Sequence, residues 1–346
     1  MLTSCVIGAS GYTGAELIKI IHQHPEFDLA ACFVSQGSSD ANKLIGEVHA
    51  VLGGQSLGSK HRFQMQELDP ARLSELANTY DAIFLATPHE ASHDWAAALL
   101  KGSAKIFDLS GAFRLPDAAV FAKYYGFQHE HPEVQEKAVY GLAEWYENEI
   151  KQAKFIAVPG CYPTASLLAL KPLSDANLIK PGHRPVINAT SGVSGAGKKP
   201  SATTSFYEVS LQAYGVLGHR HTPEIDNYAQ TQVIFTPHLG QFKRGILATV
   251  TVALKEGVSA TQVAQAYEKQ YADKALIRLR NSWPKVDDVA NTPFCDICWK
   301  FDEDSGYLVV SSAIDNLLKG AASQAVQCAN LAFDFPSQTG LISSWT

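Results

Sequence analysis

Short, unbroken apolar runs alternate with helically spaced apolar positions through the first half of the chain. Cys5-Val6-Ile7 closes at Gly8, Leu29 to Val34 follows, Ala82 to Ala86 ends at Thr87-Pro88, and Ile106-Phe107-Asp108-Leu109 is a fourth run. Between them Leu17, Ile18 and Ile21 share one face of a helix over Ala15 to His22, and Trp95 to Leu100 repeats the helical pattern. Strands without polar alternation, separated by helices, predict a parallel sheet covered on both faces. Past residue 185 the pattern changes. Pro185 to Ala189, Gln232 to Thr236, Ile246 to Leu254 and Tyr307 to Ala313 read as strands with few helices between them. The third alternates around Thr249 and Thr251, as a half-buried strand does. This half predicts an antiparallel or mixed sheet. Asn316 to Leu331 returns to a helical pattern rich in Ala, Leu and Val. The class is α/β: a Rossmann-type parallel sheet followed by an α+β half. Neither a repeat nor a Pro/Gly/Ser-rich linker separates the halves, so the site is expected in a cleft between them.

Composition narrows the functions. A chain of 346 residues has room for about two domains. With 46% hydrophobic residues it carries a large core. Lys+Arg is 28 against Asp+Glu 34, and a net charge of −6 argues against nucleic acid and anionic membranes as partners. The longest strongly apolar stretch, Ile246 to Leu254, is too short to span a bilayer. Met1-Leu2-Thr3-Ser4 has no basic region of a secretory signal. Six cysteines make no disulfide scaffold at this length, and a reducing cytoplasm is the expected setting. Cys5, Cys32 and Cys328 lie in apolar stretches and read as core. Cys295 and Cys298 form a lone Cys-x-x-Cys with no second pair, which reads as structural. No metal is expected.

Gly8-Ala9-Ser10-Gly11-Tyr12-Thr13-Gly14 follows a strand and opens a helix. That context suits a dinucleotide pyrophosphate, with Gly8, Ser10, Gly11, Tyr12, Thr13 and Gly14 as binding candidates. Ala9 stands where the G-x-G-x-x-G pattern has a glycine, and a tight turn without a ligand is the other reading. After the second strand no acid appears until Asp40. A 2′-phosphate tolerates Ser35 and Ser38 better than it would a carboxylate there, so NADP is expected over NAD.

Val158-Pro159-Gly160-Cys161-Tyr162-Pro163-Thr164 places a cysteine at the start of a helix continuing through Leu168. A helix N-terminus favours the nucleophilic thiolate, and Cys161 alone among the six has this setting. On residues alone, a core cysteine at an ordinary turn fits equally. Gly218-His219-Arg220-His221-Thr222-Pro223-Glu224 offers a proton carrier, and if extended it puts His219 and His221 on one face. His-x-His also occurs in metal sites, but no third ligand is local. Ser191-Gly192-Val193-Ser194-Gly195-Ala196-Gly197-Lys198-Lys199 reads as an anion nest with a lysine or as a plain surface loop.

Taken together these segments resemble the N-acetyl-γ-glutamyl-phosphate reductases, nearly end to end. GASGYTGAEL, DLSGAFRL (108–115), YGLAE (140–144), VPGCYPTASLLALKP (158–172), SGVSGAGKK (191–199), HRHTPEI (219–225), FTPHLGQFKRGILATV (235–250) and DNLLKGAASQAVQ (315–327) fall in that family's order. Aspartate-β-semialdehyde dehydrogenase is a more distant match. Gly111-Ala112 departs from an expected Ala-Asp, and the Ser35-Gln36 region lacks an Arg.

The resemblance implies a semialdehyde dehydrogenase-like protein. Residues 1–157 would form the NADP-binding domain, completed by 316–346, and 158–315 the catalytic and oligomerisation domain. The Cys161 thiolate would attack the acyl phosphate, and NADPH would reduce the resulting thioester to the semialdehyde in arginine biosynthesis. His219 would be the general acid, oriented by Glu224, with His221 the other candidate. Ser110, Arg114, Ser194, Lys199 and Arg220 would bind the anionic substrate. Gly192 and Asn316 would lie on the cofactor side. A homodimer or homotetramer is implied. A related acyl-phosphate reductase such as aspartate-semialdehyde dehydrogenase, a cysteine hydrolase or acyltransferase, and a non-catalytic NADP sensor are the competing readings.

Overall fold

The computed structural model describes residues 1–53 and 63–342, so the end of the 316–346 segment, 343–346, lies outside the described residues. The chain divides into two compact units: Met1–Phe121, Phe127–Pro159 and Ala321–Thr346 form one, Ala122–Gly126 and Gly160–Gly320 the other. Compared with expectation, the cuts move from 157/158 to Pro159/Gly160 and from 315/316 to Gly320/Ala321. The second shift has a physical cause. Arg244 Nε and Nη2 donate to the Asp315 carboxylate at 2.9 and 3.0 Å, and Gly245 N–H donates to Asn316 Oδ1 at 2.6 Å. These bonds hold 315–316 on the second unit.

The first unit carries β1 (Leu2–Ile7), β2 (Phe27–Val34), β3 (Met65–Glu67), β4 (Ala82–Leu85), β5 (Lys105–Asp108), β6 (Ala138–Tyr140) and β7 (Phe155–Ala157). Their order is β3-β2-β1-β4-β5-β7-β6, and each pairing is parallel. The helix Tyr12–His22 starts three residues before the apolar periodicity does, because Gly11 takes the cap position; it buries Leu17, Ile18 and Ile21. Successive strands run outward from β1 on one side and restart at β4 on the other. Such a reversal opens a crevice at the carboxyl ends of the strands.

The second unit carries β8 (Val186–Gly192), β9 (Gln212–Ala213), β10 (Ile234–Gly240), β11 (Ile246–Ala253), β12 (Ile277–Leu279), β13 (Cys295–Asp302) and β14 (Tyr307–Ile314). Their order is β12-β13-β14-β11-β8-β10-β9. The sheet is mixed: β8/β10 and β12/β13 are parallel, and the remaining pairs are antiparallel. The helix Cys161–Asp175 packs on β11 and β14 and runs well past Leu168. A second helix, Ala260–Tyr271, begins with a Ser259/Gln262 capping box. It is tied to the first by buried phenols: Tyr267 donates to Ala169 O at 2.6 Å and Tyr271 to Leu168 O at 2.8 Å. Among the described residues, no helix is long and apolar enough to cross a membrane.

Candidate functional site

The glycine loop sits at the β1/β4 reversal. Gly8 has φ +90° and donates to Phe33 O. A Cβ there would run into the Ala86 carbonyl, and one on Gly14 into the Gly8 carbonyl oxygen and, at 2.9 Å, the Ala9 Cα. Both positions therefore require glycine, and both bring β1, β4 and the helix into close approach. Gly11 is different: a Cβ there would meet only Gly8 O, at 3.6 Å. Gly11 is the helix N-cap and no side chain caps the first turn, so its N–H groups face outward from a bare backbone. Thr13 is half-buried and Tyr12 is 38% exposed. Ser10 O accepts from His49 Nε2 at 2.8 Å. These residues fit a dinucleotide pyrophosphate: an uncapped helix N-terminus with glycine where backbone and ligand must meet.

The end of β2 departs from the reading of the sequence. Ser35 is exposed, and the half-buried Ser38 accepts from Asp40 N–H at 3.2 Å. The Glu67 carboxylate arrives from the neighbouring β3 and accepts from Gly37 N–H at 3.2 Å. A carboxylate does stand here, supplied by a strand that residue order after β2 does not reveal. Lys43 is committed to Asp40 at 3.1 Å.

In the second unit Cys161 is the first residue of its helix, with Gly160 as an uncapped N-cap. The other five cysteines are buried; Cys161 alone is partly exposed. Cys295 and Cys298 lie three apart on β13, hence on opposite faces, and share no site. A Cβ on Gly320 would lie 2.9 Å from the Cys161 Cβ, so glycine at 320 is what lets Cys161 sit where it does. Cys161 lines a cavity of about 520 Å³ together with Tyr162, Tyr214, His219, Arg220 and His221. Among the described residues a larger, open depression of about 780 Å³ lies in the first unit between Lys137 and Lys154, but it carries no nucleophile.

The histidine segment is not extended. It is a turn into the helix His221–Ala229. His219 and His221 nevertheless meet, with ring centroids 4.8 Å apart. His219 Nδ1 accepts from the His221 backbone N–H at 3.1 Å, which leaves Nε2 to carry the proton of the neutral ring. Burial, and then the Arg220 guanidinium, push His219 down to about 4. Tyr162 and Tyr214 flank it at 5.8 and 5.5 Å. Tyr214 donates to the Tyr162 hydroxyl, which donates to His238 O, both at 3.0 Å. Burial raises both phenols, so they stay protonated.

Several of the expected site residues bond elsewhere in the structure. Glu224 does not hydrogen-bond His219. It is fully buried one turn into the next helix, and its Oε1 accepts from Gly160 N–H at 2.9 Å. Glu224 therefore fixes the turn that presents Cys161. Glu224→Ala would leave that buried N–H unsatisfied and cost about 1–3 kcal/mol in urea unfolding, whereas Glu224→Gln keeps an acceptor and most of the stability. Ser110 is buried, donating to Asp108 Oδ2 at 2.8 Å. Arg114 is also buried, with Nε and Nη2 donating to Val158 O and Leu109 O at 2.7 Å. Through these bonds both residues hold the local backbone of the first unit. In the second unit Ser194 and Asn316 bond each other, with Nδ2 to Oγ at 3.0 Å. A Cβ on Gly192 would lie 2.8 Å from the Arg244 nitrogen. Lys199 is exposed and does not line the cavity, whereas the exposed Arg220 does. Among the described residues no group of three His, Cys, Asp or Glu could hold a metal.

Family models agree with this division: residues 4–153 match the semialdehyde dehydrogenase NAD-binding domain, and 161–316 the semialdehyde dehydrogenase dimerisation domain. The chain is 60% identical over 342 residues to an N-acetyl-γ-glutamyl-phosphate reductase of Pseudoalteromonas atlantica, covering 99% of this chain and 98% of that one. The chain belongs to the N-acetyl-γ-glutamyl-phosphate reductase family. The Escherichia coli reductase is 52% identical over 344 residues, covering 99% of this chain and 100% of its own. Among solved structures, aspartate semialdehyde dehydrogenase II of Vibrio cholerae superposes with a TM-score of 0.70 at 18% identity, over 96% of this chain and 99% of that one. The enzyme from Candida albicans, solved with NADP, gives 0.66 at 15% identity, over 96% and 98%. These two likenesses concern the fold. Reductase-family membership together with a semialdehyde dehydrogenase fold makes the chain an oxidoreductase with a nicotinamide dinucleotide-binding domain.

Proposed function

We propose that the chain reduces N-acetyl-γ-glutamyl phosphate to N-acetylglutamate 5-semialdehyde and phosphate, with NADPH, in arginine biosynthesis. One observation carries the chemistry: the partly exposed cysteine stands at a helix N-terminus in the same cavity as His219. Identity of 52–60% over essentially whole chains to reductases of that name supports the substrate.

The Cys161 sulfur attacks the γ-carbonyl carbon, the bond to phosphate oxygen breaks, and a thioester remains while phosphate departs. Arg220 at the cavity edge draws in the dianionic phosphate. When bound, the reduced nicotinamide supplies the hydride that takes the thioester to the aldehyde level. His219 holds its proton on Nε2 and donates it as a hydrogen bond to the carbonyl oxygen as negative charge gathers there. The carbon–sulfur bond then breaks, and the thiolate returns to the helix N-terminus. His221 keeps His219 in this tautomer through its backbone N–H. Gly8, Gly11 and Gly14 with the first-turn N–H groups hold the pyrophosphate, and Ser35 and Ser38 the 2′-phosphate.

The test is the reverse reaction with N-acetylglutamate 5-semialdehyde, phosphate and NADP+, followed by the near-ultraviolet absorbance of the reduced nicotinamide. Turnover is expected, with kcat/KM at least about 100-fold below it for aspartate semialdehyde, which carries a free amine in place of the acetamido group and is one methylene shorter. Preference for aspartate semialdehyde would overturn the substrate. Preference for NAD+ would make Glu67, not Ser35 and Ser38, the residue that reads the ribose.

A further inference from the structure

One row of the second sheet runs along the Cys161 cavity. Leu239 on β10 pairs with Gln212 on β9 and with Ser191 on β8. Residues paired across neighbouring strands share a face, and all three line the cavity. The row is neutral. Ser191 donates its hydroxyl to Gly192 O at 3.0 Å, and the Leu239 side chain has no polar atom. Gln212 ends the row on the outermost strand, exposed, and its carboxamide makes no hydrogen bond to the described residues. Its backbone is held from both sides. Gln241 Nε2 donates to Val209 O at 2.5 Å, and Tyr214 N–H donates to Pro237 O at 3.1 Å. Among the lining residues Arg220 alone carries a permanent charge, and none is Asp or Glu.

We propose that Gln212 is the residue that admits an N-acylated substrate and turns away one with a free amine. This deepens the reading of the substrate given above and rests on it. An acetamido group offers one N–H donor and one carbonyl acceptor, and the Gln212 Oε1 and Nε2 match them as a pair. A free α-amine is an ammonium, with donors only. It leaves the Gln212 amide hydrogens unmatched, it is repelled by Arg220, and it meets no carboxylate on the lining. The position of Gln212 suits this role. Tyr214, two residues on, has its ring 5.5 Å from His219. Two residues of extended chain span about 7 Å, so Gln212 stands back from the group that serves the reacting carbonyl. The substrate needs that offset, because its amide nitrogen lies at the other end of the carbon chain from the carbonyl that Cys161 attacks.

The experiment reads occupancy of the cavity in the full chain without turnover. Iodoacetamide alkylation of Cys161 is followed by peptide mass spectrometry in the presence of N-acetyl-L-glutamate or L-glutamate, which differ only in the acetyl group. The native chain should be half-protected at a concentration of N-acetylglutamate at least about tenfold below that of glutamate. Gln212→Met keeps the length of the side chain and loses both hydrogen bonds. It should need about 3- to 10-fold more N-acetylglutamate, with glutamate unchanged. Gln212→Glu pairs with the ammonium and no longer donates to the acetyl carbonyl, so it should narrow the preference at least about tenfold. Leu211→Ala changes a neighbour that does not line the cavity and should keep the native preference. In steady state, Gln212→Met should raise KM for N-acetylglutamate 5-semialdehyde more than it lowers kcat. A native preference retained in both Gln212 variants, or lost equally in Leu211→Ala, overturns the role of Gln212. A native chain protected equally by the two ligands, or by neither, overturns it as well. The proposed reaction is decided separately, by turnover of the semialdehyde in the native chain.

Discussion

Replacing Cys161 by Ser lowers kcat by at least about 10⁴-fold and leaves dinucleotide affinity unchanged. The substitution exchanges one atom at the first residue of a helix whose N-cap offers no side-chain acceptor. A helix N-terminus assists a thiol toward its anion, but a hydroxyl lies too far from ionisation for that help to matter. The geometry is otherwise preserved: the serine Cβ occupies the same place against Gly320, and Glu224 still holds Gly160 N–H. In the proposed function the glycine loop of the other unit holds the dinucleotide, so fluorescence titration with the dinucleotide should give the native Kd. Mass spectrometry supplies the direct readout. The native chain should gain the N-acetylglutamyl mass when given the acyl phosphate without reductant, and the variant should not. A serine variant retaining more than about 1% of kcat would show that the nucleophile lies elsewhere.

The parallel sheet was readable because its central strands are buried on both faces, so they appear as unbroken apolar runs such as Ala82 to Ala86. β3 and β6 escaped that reading: each is three residues long, too short for periodicity to register. β13 escaped for another reason. Its first four residues are buried and include Asp296, which pairs with Arg278, so its pattern looks like a cysteine motif interrupted by charge. The helix-start position of Cys161 was legible because Pro159-Gly160 and Pro163 mark a turn into a helix. What residue order did not reveal was partnership across distance. Glu224 lies five residues from His219 in sequence yet serves Gly160, and Glu67 reaches the β2 loop from the adjacent strand. Ser110 and Arg114 are polar groups in a family-like motif, and residue order does not reveal the backbone and carboxylate groups they bond. Tyr214 gave no sequence signal, because its role depends on a loop folding back over Tyr162.

His219→Asn should lower kcat by about 10² to 10⁴-fold, the range of a lost proton donor, and should flatten the dependence of stability on acid. Asparagine is the informative replacement because its carbonyl still accepts the His221 N–H that Nδ1 accepts now. The sign of the stability effect follows from the depressed ring. In the folded chain His219 titrates at about 4, held down first by burial and then by Arg220. In the unfolded chain it titrates at its ordinary value of about 6.5. Between those values the unfolded state binds the proton and the folded state does not, so stability rises with pH. The contribution is complete above pH about 6.5 and is lost progressively as pH falls through about 4, amounting to about 3 kcal/mol at most. Urea unfolding across that window should therefore be shallower in pH for His219→Asn than for the native chain. Arg220→Gln gives the complementary result: with the neighbouring cation gone, the loss of stability in acid is complete at a higher pH. Unfolding profiles unchanged in both Arg220→Gln and His219→Asn would show that His219 does not carry this pH dependence. In that case His219 would serve as the acceptor that starts the helix.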